Sequence, residues 1–293
     1  MTSDLIAILW APFLMCLVLT GIHAYLGIHV IAREVVFVDI AMAQIAALGA
    51  TAAFLAGFDL DTRVSWMTAL GFTLLGAVVL ALTRSRQRHV SQEAVIGVIY
   101  AVSAAGAVLL ADRAPHGAEH VRAMLVGNIL TARLDEVARV AVLYAGVGLV
   151  HWLCRKPFVL ISTQPETAFQ QGWQVRRWDL LFYATFGLVV ASSVRIGGVL
   201  LVFSYLIVPS LAGIALGGGI GSRLVIGWVF GGAVSVLGVT ASAAFDLPTG
   251  ATVVCAFGVA LALLWGVAPA ARYRAAAAPA RGHAVGRDQG PVP

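Results

Sequence analysis

Two polar side chains, Asp39 and Gln44, lie inside a stretch that is otherwise apolar enough to cross a lipid bilayer. The stretch covers residues 35–57 and holds no other ionisable residue. A carboxylate at membrane depth costs about 3 kcal/mol or more unless it faces protein, water or a cation. We therefore interpret the stretch as a helix that lines a pathway, with both side chains as candidate metal ligands. The alternative is that Asp39 begins a helix beside the interface and hydrogen-bonds to a neighbour.

Histidines supply further candidate ligands. His23 and His29 flank the end of the first apolar stretch. His116 and His120 lie four residues apart, with Glu119 beside them, so a helix would place both rings on one face. Imidazole and carboxylate groups suit zinc and other first-row divalent ions. We predict metal binding at this outer loop. The alternatives are a solvated loop, and for the first pair a hydrogen bond to a backbone carbonyl.

The sequence argues against an enzyme. A phosphate-binding loop requires a lysine after a glycine-rich turn, and Lys156, the one lysine of the chain, follows no glycines. Neither a Gly-x-Ser-x-Gly elbow nor a His-Glu-x-x-His pair occurs. The three cysteines fit neither a disulfide framework nor a zinc cluster. We expect no permanently bound cofactor.

Composition identifies the elements that must position these groups. The 293 residues are 60% hydrophobic and 11% charged, with mean hydropathy +0.92, against about 25% charged in soluble domains. This indicates an all-α polytopic membrane protein with about nine transmembrane helices. No basic stripe with aromatics suggests nucleic-acid binding. The predicted spans are 5–27, 35–57, 65–83, 93–111, 138–154, 178–194, 197–216, 224–245 and 251–269.

The basic residues predict how the chain is oriented. With the N-terminus outside and the C-terminus in the cytoplasm, 13 of the 19 Lys and Arg residues fall in cytoplasmic loops, Arg33 among them. This agrees with the positive-inside rule. We expect a transmembrane permease domain over 1–272 and a disordered cytoplasmic tail over 273–293.

Two further features concern helix ends and kinks. Pro165 and Glu166 suit the first turn of a helix and Gly172 suits its end, which predicts a short cytoplasmic helix of about two turns. Pro209 lies in the middle of a predicted span, where it would free a carbonyl and kink the helix. Broken helices at the midplane often line substrate sites, although a plain structural kink is equally consistent with the sequence.

Six segments resemble, in order, patterns found in the permease subunits of metal-ion ABC importers, the zinc- and manganese-type family. The resemblance covers residues 10–270. The segments are Arg33 leading into Val38-Asp39 and Gly49, Glu93 to Val98, Leu125 to Leu130, Pro165 to Gly172, Val199 through Pro209, and Asp246 to Gly250.

The resemblance implies a subunit in the bacterial cytoplasmic (inner) membrane that carries zinc or manganese, or else iron, through a homodimer. It further implies a cytoplasmic ATP-binding subunit that docks around Glu166, Ala168 and Gly172, and an extracytoplasmic metal-binding protein. One departure matters. Where the family has a histidine after its aspartate, this chain has Ala43 or Gln44, depending on the alignment. A neutral amide oxygen is a poorer zinc ligand than imidazole.

Several interpretations of this departure stay open. In the first, His23 or His29 replaces the missing ligand. In the second, the chain is only a channel for an ion that a partner protein delivers. In the others, a different ion is transported, or the substrate is a metal chelate. Two other classes also remain: a self-sufficient secondary transporter or channel that uses Asp39 as an ion or proton relay, and a membrane scaffold without transport activity.

Overall fold

The structure, a computed structural model, describes residues 2–59, 62–84, 91–114, 127 and 129–277, and side chains within these ranges from residue 9 to residue 266. The described chain is helical and contains no strand. Its helices are α1 (Thr2–Ala32), α2 (Val38–Leu55), α3 (Arg63–Thr83), α4 (Gln92–Ala111), α5 (Leu134–Leu153), α6 (Arg155–Thr163), α7 (Pro165–Gln170), α8 (Val175–Leu216), α9 (Ile220–Phe245) and α10 (Thr249–Ala277), with a short 3₁₀ helix at Ile129–Thr131.

Eight of the helices in the described ranges are long and apolar enough to cross a bilayer. They confirm the all-α polytopic fold, and each of the nine predicted spans overlaps one of them. The predicted count differs by one because spans 178–194 and 197–216 are two arms of the single element α8, which is 42 residues long. The helix α10 continues to Ala277, past residue 273, and the predicted tail beyond it lies outside the described residues.

The two arms of α8 run in different directions. Gly198 has φ 75° and ψ 163°, which interrupts the helix. On a straight helix Ser193 and Ser210 would lie about 25 Å apart. Yet Ser193 contacts His23 of α1, and the hydroxyl of Ser210 donates to the carbonyl of Ala24, which follows His23 in α1. Both arms therefore pass the same level of α1, so the chain folds back at Gly198.

Small residues let α2 sit at the centre of the bundle. Of the small side chains in α2, the ones predicted to permit close helix contact are all buried: Ala41, Ala43, Ala46, Ala47, Gly49 and Ala50. A Cβ atom on Gly49 would come within 2.9 Å of the Cα atom of Ala69 in α3. Close backbone approach of this kind is how helices pack inside membranes. It confirms the prediction that α2 lies inside a bundle.

The helix ends gather at two opposite ends of the molecule. At one end, Arg33, Arg84 and Glu93 share a cavity of about 310 Å³ with Pro165 and Glu166. At the other end, the first turns of α3 and α5 meet Arg195. The helix α4 is about 30 Å long, so its last residue, Ala111, lies at the end away from α7.

Candidate functional site

The short helix predicted from Pro165 is present as α7. Ala168 is fully buried and packs with Ile161 of α6 and Val175 of α8. Glu166, two residues earlier, is exposed. One face of α7 is thus fixed to the bundle while its acidic first turn is presented outward.

Gly172 ends α7 for a specific conformational reason. Its φ is +75°, the left-handed region that glycine adopts without steric cost. The N–H of Gly172 donates to the carbonyl of Phe169, and that of Trp173 donates to the carbonyl of Ala168. This is the usual way in which a left-handed glycine satisfies the last carbonyls of a helix.

A buried ionic network lies beneath α6 and α7. The Nη1 atom of Arg33 is 2.6 Å from Oδ1 of Asp179, and both side chains are fully buried. The Nε atom of Arg84 lies 3.2 Å from the other carboxylate oxygen. Two guanidinium groups from α1 and the end of α3 therefore share one carboxylate on α8.

The same network reaches α6. The Nε atom of Arg33 donates to the hydroxyl of Ser162 at 2.8 Å, and Nδ1 of His29 lies 2.9 Å from the same oxygen. The guanidinium carbon of Arg33 is 3.9 Å from the centre of the Phe182 ring, a cation–π arrangement. Arg33 therefore connects the end of α1 to α6 and α8. Its contact in α6, Ser162, lies three residues before the start of α7.

The sequence analysis counted Arg33 among the basic residues of the cytoplasmic loops and did not anticipate its burial. The residue follows the end of α1, yet it is only 7% exposed. Its partner Asp179 was not predicted as a functional residue. The signal was available: Asp179 lies inside the predicted span 178–194, and the argument that singled out Asp39 applies equally to it.

His23, six residues before His29 in α1, takes part in a second buried cluster. Its Nδ1 lies 2.8 Å from the carbonyl oxygen of Leu19, and its Nε2 lies 3.2 Å from the hydroxyl of Ser193. The hydroxyl of Tyr144 in α5 also contacts Ser193. Both ring nitrogens thus have partners in the protein. This agrees with the alternative in which His23 hydrogen-bonds to a backbone carbonyl and does not bind metal.

Asp39 is the second residue of α2 and is fully buried. Neither of its carboxylate oxygens has a hydrogen-bond partner in the part of the chain that the structure describes. Gln44 is half-buried, and Ala43 occupies the inner position beside it. Asp39 therefore faces the interior of the bundle and not lipid.

The described residues contain no group of three His, Cys, Asp or Glu side chains placed to hold a metal ion. Asp39, His23 and His29 therefore do not form such a group in the described chain, although the Nε2 atom of His29 has no hydrogen-bond partner there. His116, Glu119 and His120 lie outside the described residues. Metal binding by any of these remains a prediction.

Pro209 is not the point at which α8 is interrupted. Gly198 has the non-helical dihedral angles, and Pro209 lies within the helical second arm. The proline ring packs beside α9, where a Cβ on Gly231 would lie 3.1 Å from Cγ of Pro209. The hydroxyl of Ser210, the next residue, donates to the Leu206 carbonyl at 2.7 Å and to the Ala24 carbonyl in α1 at 3.0 Å.

The fold and these two buried clusters define a polytopic membrane protein with a helical bundle, a broken helix at its centre and a short amphipathic segment anchored at one end. Residues 6–268 match the ABC 3 transport family. The chain belongs to this family of membrane transport proteins.

Individual relatives agree with this assignment. The chain is 22% identical over 198 residues to the manganese transport system membrane protein MntC of Listeria monocytogenes. The match covers 65% of this chain and 70% of that protein. It is 28% identical over 136 residues to a Haemophilus influenzae protein named "Probable iron transport system membrane protein", covering 46% of this chain and 50% of the relative.

A solved structure has the same fold. PsaBC from Streptococcus pneumoniae in complex with Fab contains a chain that superimposes with a TM-score of 0.77 at 20% identity. The match covers 94% of this chain and 99% of that one. The similarity therefore extends over nearly all of the bundle.

Proposed function

We propose that this chain is the membrane permease of an ATP-binding-cassette importer for a divalent metal ion, zinc or manganese, with iron as a further option. It acts as a homodimer in the bacterial cytoplasmic membrane, with α7 on the cytoplasmic side. A separate subunit hydrolyses ATP, and an extracytoplasmic metal-binding protein delivers the substrate. The names of the Listeria and Haemophilus relatives support metal as the cargo.

The observation that supports this role most directly is the attachment of α7 to the bundle. Its exposed Glu166 offers a contact for a partner, while Ala168 is buried against α6 and α8. A few residues away, Ser162 accepts a hydrogen bond from Arg33, which pairs with Asp179. A displacement of α7 would therefore be transmitted to α1 and α8 through directly bonded, buried side chains.

In this proposal the ATPase pair moves α7 when it closes on ATP. The displacement passes through α6 to the Arg33–Asp179 pair and changes how α1 and α8 sit against α2. Asp39, buried on α2 without a protein partner, is the polar group that the moving ion meets. Gly198, at the fold-back of α8, allows the two arms of that helix to move separately.

The experiment is co-purification of the chain with its ATPase. We expect Glu166→Arg and Gly172→Arg to abolish the association, because the first reverses the exposed charge and the second places a side chain at φ +75°. Arg133→Glu, at the opposite end of the bundle, is the matched control and should retain it. If the ATPase binds the Glu166→Arg and Gly172→Arg variants as tightly as the wild-type chain, the proposal is wrong.

A further inference from the structure

A groove runs along the side of the bundle between α1, α5 and α9. It has a volume of about 670 Å³. The residues of α5 that line it recur at helical spacing: Ala141, Tyr144, Ala145, Gly148, His151 and Trp152. From Ala141 to Trp152 a helix rises about 17 Å, which is close to the depth of one leaflet in a hydrocarbon core of about 30 Å. The groove therefore has the length of a single acyl layer.

The lining of the groove is mainly apolar and leaves space beside two glycines. Ile22 of α1 and Leu224 of α9 contribute to it. The Nε1 atom of Trp228 donates to the carbonyl of Gly21 at 2.9 Å, which joins α9 to α1 along the groove. A Cβ atom on Gly21 or Gly148 would meet no side chain or neighbouring helix of the described chain within 4 Å. These two glycines therefore leave room that a larger residue would fill.

One end of the groove is basic. The helix α5 begins at the end of the bundle opposite α7, so its last turn and Arg155, the first residue of α6, lie at the α7 end. Arg155 lines the groove, and Lys156 follows it; both are exposed. The Nη1 atom of Arg155 donates to the carbonyl of Trp152 at 3.2 Å, and its guanidinium carbon lies 5.0 Å from the centre of the Trp152 ring. These contacts hold a positive charge at the mouth of the groove.

We infer that the groove binds a phospholipid with an anionic headgroup, drawn from the leaflet on the α7 side of the membrane. One acyl chain lies along α5 across Gly148, and the phosphate contacts Arg155, whose planar fork of donors matches phosphate geometry. Basic pockets between transmembrane helices on the cytoplasmic side recognise anionic headgroups in this way. Binding of the lipid is independent of which ion the chain transports.

A second copy of the chain is the competing occupant of the groove. In a two-fold dimer within a membrane, both copies place the same residue at the same depth. A copy seated in the groove would therefore bring its own Arg155 and Lys156 to the level of the first pair, and like charges at close range repel each other. An anionic headgroup at this level is attracted instead, so the charge at the mouth favours a lipid.

The test is native mass spectrometry of the full-length chain, delipidated in detergent and titrated with phosphatidylglycerol or with phosphatidylcholine of the same acyl chains. The spectra report the number of bound lipids and the oligomeric state together. We expect phosphatidylglycerol to bind the wild-type chain about tenfold more tightly than phosphatidylcholine, because only its headgroup carries a net negative charge. Arg155→Gln should remove this preference. Arg177→Gln, which replaces an exposed arginine in the first turn of α8, should keep it.

A pair of leucine substitutions tests the acyl part of the groove. Gly148→Leu places a side chain in the groove and should weaken the binding of both lipids about tenfold. Gly146→Leu is the matched control, because Gly146 lies in the same helix but is not among the residues that line the groove. A Cβ atom at either position meets no neighbouring atom of the described chain within 4 Å, so both variants should fold.

Three results would overturn the inference. They are equal affinity of the wild-type chain for the two lipids, equal effects of the two substitutions within either matched pair, and a Gly148→Leu dimer that dissociates into monomers. The last result would assign the groove to a second copy of the chain. Co-purification with an ATPase changes none of these measurements, so failure of the importer proposal and failure of the lipid site are distinguishable.

Discussion

Asp179 is the residue on which the buried ionic network beneath α6 and α7 depends. Its carboxylate is fully buried and lies between Arg33 and Arg84, of which the first is also fully buried. Desolvating these charges is costly, and only the mutual attraction of the groups offsets the cost. The network is therefore sensitive to the loss of any one member, which suits a connection that must transmit movement.

Replacing Asp179 should be strongly destabilising. Asp179→Asn removes the buried carboxylate that two guanidinium groups share, so we expect the free energy of unfolding to fall by about 3–5 kcal/mol. Chemical denaturation of the purified chain in detergent measures this. Asp135→Asn is the matched control: its arginine partners are 81% and 72% exposed, so it should cost less than about 1 kcal/mol. Equal effects of the two changes would contradict the role of burial.

Asp39 should behave in the opposite way. Its carboxylate is buried without a partner in the described chain, and an unpaired buried charge costs stability. Asp39→Asn should therefore leave stability unchanged or raise it, while metal uptake by cells that depend on this chain falls at least tenfold. Uptake at the wild-type level in a well-expressed Asp39→Asn variant would remove Asp39 from the pathway.

At this scale the sequence predicted the burial of Asp39 but not its surroundings. An isolated acidic residue within an apolar stretch is visible from composition alone. The pairing of Arg33 with Asp179 joins residues 146 positions apart, and no local pattern predicts it. The same limitation applies to His23, whose partners Ser193 and Tyr144 come from two other helices.

Among the elements, α8 sets the internal geometry. Gly198 has dihedral angles that essentially only glycine adopts without strain. A second glycine, Gly127, has φ +63° and packs directly on this point, since a Cβ atom there would lie 2.2 Å from the carbonyl carbon of Gly197. Gly127, seven residues before α5, thus packs against the interruption in α8.

Alanine substitutions test this contact. Gly198→Ala should destabilise the chain by about 1–3 kcal/mol through backbone strain, and Gly127→Ala should do at least as much because its Cβ meets backbone atoms. Gly146→Ala is the control, because it has no neighbour within 4 Å in the middle of α5; it should stabilise by about 0.5–1 kcal/mol. Thermal unfolding followed by circular dichroism compares the three. A neutral Gly198→Ala would show that the fold-back does not require glycine.

The helices themselves were predictable from hydrophobic length, because a bilayer of fixed thickness requires about 20 apolar residues per crossing. The interruption of α8 was predicted between the spans 178–194 and 197–216 and is found at Gly198, while a kink at Pro209 stays a prediction. Proline marks a missing backbone donor, which is visible in the sequence. A glycine with positive φ leaves no comparable mark in the sequence, since most glycines in this chain lie in ordinary helix.

For the whole molecule, orientation is the first property to establish. We predict that α7 faces the cytoplasm and that the opposite end of the bundle, where Arg133 and Arg195 lie, faces outward. In intact cells, a membrane-impermeant maleimide should label Arg133→Cys and not Gln170→Cys, both introduced into a Cys255→Ser background because Cys255 is exposed. Permeabilised cells should show labelling of both. Labelling of Gln170→Cys from outside would invert the predicted topology.

The central claim is that this bundle moves metal only when an outside ATPase acts on α7. Uptake of radioactive metal into proteoliposomes that contain the chain, its ATPase and its extracytoplasmic binding protein tests it most directly. We predict ATP-dependent uptake that disappears when the ATPase is omitted or Gly172 is replaced by Arg, while Arg133→Glu leaves the ATPase dependence in place. Uptake by the chain alone, driven by a proton gradient, would contradict the account.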